Sequence, residues 1–115
     1  MAYPVSYPFK TRIVNATSTT SNTIMSVAVS ARAKLICAFY ATTSGLSHTA
    51  VGTASVAVNG TAVTGMLTTV TTTTGTLGTD LGTPSVATFV NPTDILSVTL
   101  SSCVGGNTSF VLREF

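Results

Sequence analysis

A chain of 115 residues makes one domain with room for a real core. Only 7% of its residues are charged, against roughly 25% in soluble domains, while Ser and Thr supply about a third of the chain; a freely diffusing monomer usually carries more charge, so the balance favours a protein locked into a larger assembly. The net charge of +2 sets Lys10, Arg12, Arg32, Lys34 and Arg113 against Asp80, Asp94 and Glu114, with no basic stripe interleaved with aromatics to mark a nucleic-acid binder.

Residues 1–14 read as an extended arm. Pro4 and Pro8 remove ladder donors and push the residues before them to extended backbone. Tyr3, Tyr7 and Phe9 make the arm too aromatic for typical disorder. It is expected to lie on its own sheet edge or on a neighbouring subunit, with a fraying terminus as the alternative. Met1-Ala2-Tyr3-Pro4 lacks the basic and apolar regions of a signal peptide, so the chain is expected to be made in the cytoplasm and not exported by the standard route. The cations lean toward this end, since Lys10, Arg12, Arg32 and Lys34 meet no acid before Asp80. That bias suits an acidic partner surface, but five scattered solvated charges are the plainer expectation.

Asn15 to Asn22 reads as a polar loop. Thr23 to Ser30 then alternates, with Met25, Val27 and Val29 on one face, and predicts a half-buried strand. Lys34 to Thr42 is apolar on both faces, Leu35, Cys37 and Phe39 against Ile36, Ala38 and Tyr40. It predicts a strand placed centrally in a sheet, or between a core and a subunit contact. Its longest apolar run, Leu35 to Ala41, is far too short to span a bilayer. Thr42 to Val51 reads as a loop carrying the chain's one histidine, His48.

Ser55 to Val63 is the strongest local signal. Asn59-Gly60 tolerates the positive φ that a two-residue type I′ turn needs at both central positions. A hairpin built on it sets Val58 opposite Thr61 and Val56 opposite Val63. Leu67 to Thr76 predicts an exposed, Thr-rich strand, expected to be covered or to pair across a subunit interface. Gly75, Gly78, Gly82 and Pro84 bracket a loop. Ser85 to Val90 predicts a strand, Asn91-Pro92-Thr93-Asp94 a turn, and Ile95 to Ser101 a strand with Leu96, Val98 and Leu100 inward. After a turn at Gly105-Gly106, Ser109 to Phe115 sets Phe110, Leu112 and Glu114 opposite Val111, Arg113 and Phe115. The fold class expected is all-β: an antiparallel sandwich, jelly-roll-like, of about eight short strands in one domain over residues 15–115. An immunoglobulin-like strand order fits the strand count equally.

Residues able to do chemistry are few. His48, Asp80, Asp94 and Glu114 are the only histidine and acids, and with thirteen serines any Ser-His-Asp set can be written down without carrying information. Paired carboxylates and a metal site have too few ligands. Cys37 and Cys103 fit no metal or redox spacing and are expected to be buried free thiols, with a disulfide as the alternative. Asp94 reads as a turn residue, and Glu114 as a partner for a cation across strands or on a neighbouring chain. No enzyme, cofactor or metal is expected.

The order of features resembles a known family. An alternating strand (Met25 to Val29) is followed by Ala31-Arg32-Ala33-Lys34-Leu35-Ile36 entering an apolar strand. A Val56-Ala57-Val58-Asn59-Gly60-Thr61-Ala62-Val63 hairpin comes next. A Thr/Gly-rich stretch then runs into Phe89-Val90-Asn91-Pro92-Thr93-Asp94-Ile95-Leu96-Ser97-Val98-Thr99. Over residues 23–115 this is similar to the small β-sandwich decoration (cement) proteins and head-fibre knobs of tailed bacteriophages. The Gly that usually precedes the Asp in that family is Thr93 here, which leaves the type of that turn open. The resemblance implies a homotrimer on the outer surface of a virion, clamping the major capsid protein of the shell, with no nucleic acid or membrane as partner. It implies a capsid- or subunit-contacting arm, carried by Tyr3, Pro4, Tyr7, Pro8, Phe9, Lys10 and Arg12. The rival expectation is a carbohydrate- or receptor-binding knob using Tyr40 or loop residues 42–50 with His48. A small hydrolase is the third.

Overall fold

A computed structural model describes residues 10–17, 24–42, 52–70, 79–101 and 106–114, and none of them is helical. Among these described residues nine strands occur in chain order: β1 (Lys10–Thr17), β2 (Ile24–Ala28), β3 (Ala33–Thr42), β4 (Gly52–Val58), β5 (Thr61–Val70), β6 (Thr79–Asp80), β7 (Phe89–Val90), β8 (Ile95–Ser101) and β9 (Gly106–Glu114). They form two antiparallel sheets. The first runs β1-β9-β3, with β6 and β7 both on the far edge of β3. The second runs β2-β8-β4-β5. Taking β6 and β7 as one interrupted strand leaves eight, and they are distributed between the sheets in jelly-roll order. An immunoglobulin order would pair the first two strands side by side. Here β1 and β2 sit in different sheets.

The core is the inward face of both sheets. Alternation works as expected in β2, β8 and β9. Met25 and Val29, then Leu96, Val98 and Leu100, then Phe110 and Leu112, are all buried. Each such side chain contributes about 1.5–3 kcal/mol when removed from water.

In β3 the alternation breaks. Leu35 pairs with Leu112 and Cys37 with Val111, so Ile36 is an extra residue in a β-bulge. The expected face of Leu35, Cys37 and Phe39 therefore splits. Leu35 points inward with Ala38 and Tyr40, while Phe39 is exposed and Cys37 half-buried.

Three further segments depart from the sequence reading. Lys10–Thr17 is one strand spanning the expected arm–loop boundary, paired with β9 from Lys10↔Glu114 to Thr17↔Asn107. The polar residues there are no obstacle, because Asn15 faces outward and its Oδ1 accepts from Ser109 Oγ at 2.7 Å, while Ala16 is fully buried. Thr61–Val70 is a single strand, not two; residues 71–76 of the expected Thr-rich strand lie outside the described residues. Val58 does oppose Thr61, but the register slips between Ala57↔Ala62 and Ser55↔Leu67, so Val56 does not pair with Val63.

Of Ser85–Val90 only Phe89–Val90 pairs as a strand. The chain leaves the β3 edge after Leu81, whose N–H donates to Ala38 O at 2.9 Å, and returns where Thr88 O accepts from Leu35 N at 2.9 Å. Between these points it crosses to β5, where Ser85 N donates to Thr64 O at 2.8 Å. This strap ties the two sheets together along their β3 and β5 edges.

Candidate functional site

The acids among the described residues are each engaged locally. Asp80 Oδ1 accepts from Gly82 N at 2.8 Å. Glu114 is 7% exposed and forms an ion pair with Nε of Arg12, whose Nη1 also donates to Ser30 Oγ at 3.1 Å. The expected cross-strand partner for Glu114 is thus Arg12 of β1. Among the described residues no three of His, Cys, Asp and Glu converge on a metal-sized site. Cys37 is a free thiol, pushed up from its ordinary pKa by burial and then by the negative charge of Asp80. A raised pKa keeps the thiolate scarce at neutral pH, the opposite of an activated nucleophile. His48 and Cys103 lie outside the described residues.

Asp94 holds a clasp of three turns. Its Oδ2 accepts from Asn91 N at 2.8 Å and its Oδ1 from Asn59 Nδ2 at 3.0 Å. Asn59 Oδ1 in turn accepts from Ile95 N at 2.8 Å, and Asn59 N donates to Ile95 O at 2.8 Å. Val29 N donates to Asp94 O, and Thr93 N to Val29 O, both at 2.8 Å. The end of β2, the β4–β5 turn and the β7–β8 turn are thereby joined. The hydrogen bond from Asn91 N, and then that from Asn59, lower the Asp94 pKa below the ordinary carboxylate value.

The two outer faces differ. On the first sheet, strand register sets Ile13 (59% exposed) beside Val111 and Val111 beside Cys37. One rung on, Phe39 (44% exposed) stands beside Ser109, and at the other end of β3 Phe89 stands beside Lys34. The result is an apolar band across three strands. On the second sheet the outward residues are mostly Ser, Thr and Ala. There Ser26 pairs with Ser97 and Thr99 with Ser55, and Ile24 and Leu67 are exposed at the two edges.

Charge is equally uneven. All five cations of the chain sit at the end where β1 and β3 begin and β9 finishes. In register Lys10 stands opposite Glu114 and Lys34 opposite Arg113, Arg12 lies two residues along β1 from Lys10, and Arg32 just precedes β3. Two open troughs flank the strap. One, of about 250 Å³, is lined by Val58, Ala62, Val63 and Val86 with Thr64 and Thr88; the other, of about 210 Å³, by Lys34, Leu35, Ile36, Thr83, Pro84 and Ala87.

No family model, curated protein or solved structure matches the chain. The residues singled out from sequence are distributed as follows. Tyr3, Pro4, Tyr7, Pro8 and Phe9 lie outside the described residues. Lys10 and Arg12 belong to β1. Tyr40, offered as an aromatic platform for a glycan, is 1% exposed and part of the core; the bulge at Ile36 turned it inward. The apolar band and the Asp94 clasp were both missed. The clasp had two legible halves, Asn59-Gly60 and Asn91-Pro92-Thr93-Asp94, but nothing local says that turns 35 residues apart meet.

Proposed function

We propose that this protein is a structural component of a phage particle that binds the outer surface of the capsid as a homotrimer and stabilises the shell. The observation that carries the reading is the apolar band of Ile13, Val111, Cys37 and Phe39 on the outer face of the first sheet, in a chain with 7% charge. An exposed apolar band rimmed by polar residues marks an interaction surface. Low charge leaves little to keep free monomers apart. The capsid itself enters through the resemblance over residues 23–115. The jelly roll agrees with it by analogy, as an architecture shared by viral capsid and lectin domains. In this reading residues 1–14 contact the shell or a neighbouring subunit, and the basic end adds attraction to an acidic surface.

Light scattering across a dilution series gives the oligomeric state. The expected mass is three times the 11.7 kDa of one chain, with a shift toward one chain in Ile13→Asp/Phe39→Asp. Both residues are exposed, so the protomer fold is expected to survive. Cosedimentation with emptied phage shells then tests the capsid. A monomer at every concentration, or a trimer that ignores both substitutions, would remove the band from the interface. A trimer that binds no shell would remove the capsid reading alone.

A further inference from the structure

Asn59-Gly60 is the chain's single Asn-Gly step, and it sits inside the Asp94 clasp. An Asn followed by Gly is prone to attack by the Gly backbone nitrogen on the Asn carboxamide carbon, because no side chain shields that nitrogen. Here Gly60 has φ +83 and nothing within 4 Å of where a Cβ would stand. Bulk therefore offers no protection. What restrains the reaction is the carboxamide itself, held at both polar atoms by Ile95 N at 2.8 Å and Asp94 Oδ1 at 3.0 Å. Asp94 is fixed in turn by Asn91 N at 2.8 Å. Swinging the carboxamide onto Gly60 breaks both of its hydrogen bonds.

We propose that Asn59 is a self-modification site gated by the clasp, closed to deamidation while Asp94 holds its amide and open when Asp94 lets go. The chemistry needs only water. Gly60 N gives its proton to hydroxide and forms a bond to Asn59 Cγ; the Cγ–Nδ2 bond breaks and the nitrogen leaves as ammonia, taking a proton from water. Water then opens the cyclic imide at either carbonyl, leaving an aspartyl or isoaspartyl linkage. Both products lose the Nδ2 donor: the isoaspartyl one takes Cγ into the backbone and carries its free carboxylate on Cα, and the aspartyl one sets a carboxylate oxygen facing the Asp94 carboxylate across the former 3.0 Å hydrogen bond. Two like charges at that distance cannot both stay ionised without cost. The isoaspartyl product also lengthens the backbone of a two-residue turn. Either way the clasp does not reclose, and the β4–β5 turn loses the side-chain hydrogen bond that ties it to the β7–β8 turn.

The test incubates the full chain at mildly alkaline pH and follows the Asn59 peptide by mass spectrometry, through the mass gain of exchanging NH₂ for OH. Native protein is expected to react roughly tenfold or more slowly than the same chain in urea, and Asp94→Ala, verified as folded by circular dichroism, to move most of the way to the urea rate. Should Asp94→Ala not fold, Asp94→Leu, close to Asp94 in shape but without an acceptor oxygen, serves the same comparison. Asn59→Asp alone is expected to lower the urea midpoint, and Asn59→Asp with Asp94→Asn to recover it, since that pair restores one donor and one carboxylate. Equal rates in native and unfolded protein would overturn the gate. So would a folded Asp94 variant with the native rate, or a double variant no more stable than Asn59→Asp.

Discussion

Thr93 has φ 76, a left-handed value that a β-branched residue rarely adopts. The reason is the turn it occupies. Asp94 N donates to Asn91 O at 3.0 Å, Pro92 takes the second position and Thr93 the third, which in a type II turn requires positive φ. The turn therefore keeps the geometry that a Gly at this position would favour, and Thr93 carries the strain. It tolerates that strain because its own N–H is held by Val29 O at 2.8 Å. Thr93→Gly is expected to raise stability by about 1 kcal/mol, the relief of strain exceeding the added freedom of Gly in the unfolded chain, and urea denaturation measures it. Asp94 makes a second prediction in the same turn. Its folded pKa is depressed, so it contributes stability that is present above the unfolded value and lost as pH falls through the folded one. The difference in thermal midpoint between wild type and Asp94→Asn is expected to be steady near neutrality and to shrink on acidification below about pH 4. A difference that stays constant into strong acid would contradict the carboxylate's role.

At the scale of elements, the bulge at Ile36, the register slip in the β4–β5 hairpin and the strap decide what the period-2 pattern does not. Strands β2, β8 and β9 were legible because their alternation is unbroken and one face is buried. The bulge at Ile36 was not, since Lys34–Thr42 is apolar on both faces and alternation has nothing to mark. The interruption between β6 and β7 escaped for a different reason. Gly82 and Pro84 do mark a loop there, but what holds the chain off β3 as far as Thr88 is contact with β5, distant in sequence. That contact is backbone on backbone. Gly65 has φ +94, and a Cβ there would stand 2.7 Å from Thr83 O and 2.9 Å from Ser85 N, neither able to move without tearing the strap. Gly60 shares the positive φ but faces open space. Gly65→Ala is therefore expected to cost about 2–4 kcal/mol and Gly60→Ala about 1 kcal/mol, compared by urea midpoints. Similar losses at both glycines would mean that the strap yields more easily than its hydrogen bonds imply.

The whole molecule presents an inside that alternation specified and an outside that it left undecided. Polar and small residues on an outward face satisfy folding whether or not anything covers them, so the sequence could announce a sandwich without saying which face is used. The apolar band becomes visible only when register brings Ile13, Val111 and Cys37 into one row. Cys37 then offers a probe from within that row. It is half-buried in the single chain and its thiolate is scarce, so alkylation is expected to be slow but measurable at mildly alkaline pH. If the band is the surface buried between subunits or against a shell, the Cys37 peptide is labelled several-fold more slowly in concentrated, assembled protein than in dilute protein whose mass has fallen to one chain. Peptide mapping separates Cys37 from Cys103. Labelling at one rate across the whole dilution series, while the mass changes, would place the contact elsewhere. The second sheet, with Ile24 and Leu67 exposed at its edges, is then the face to examine.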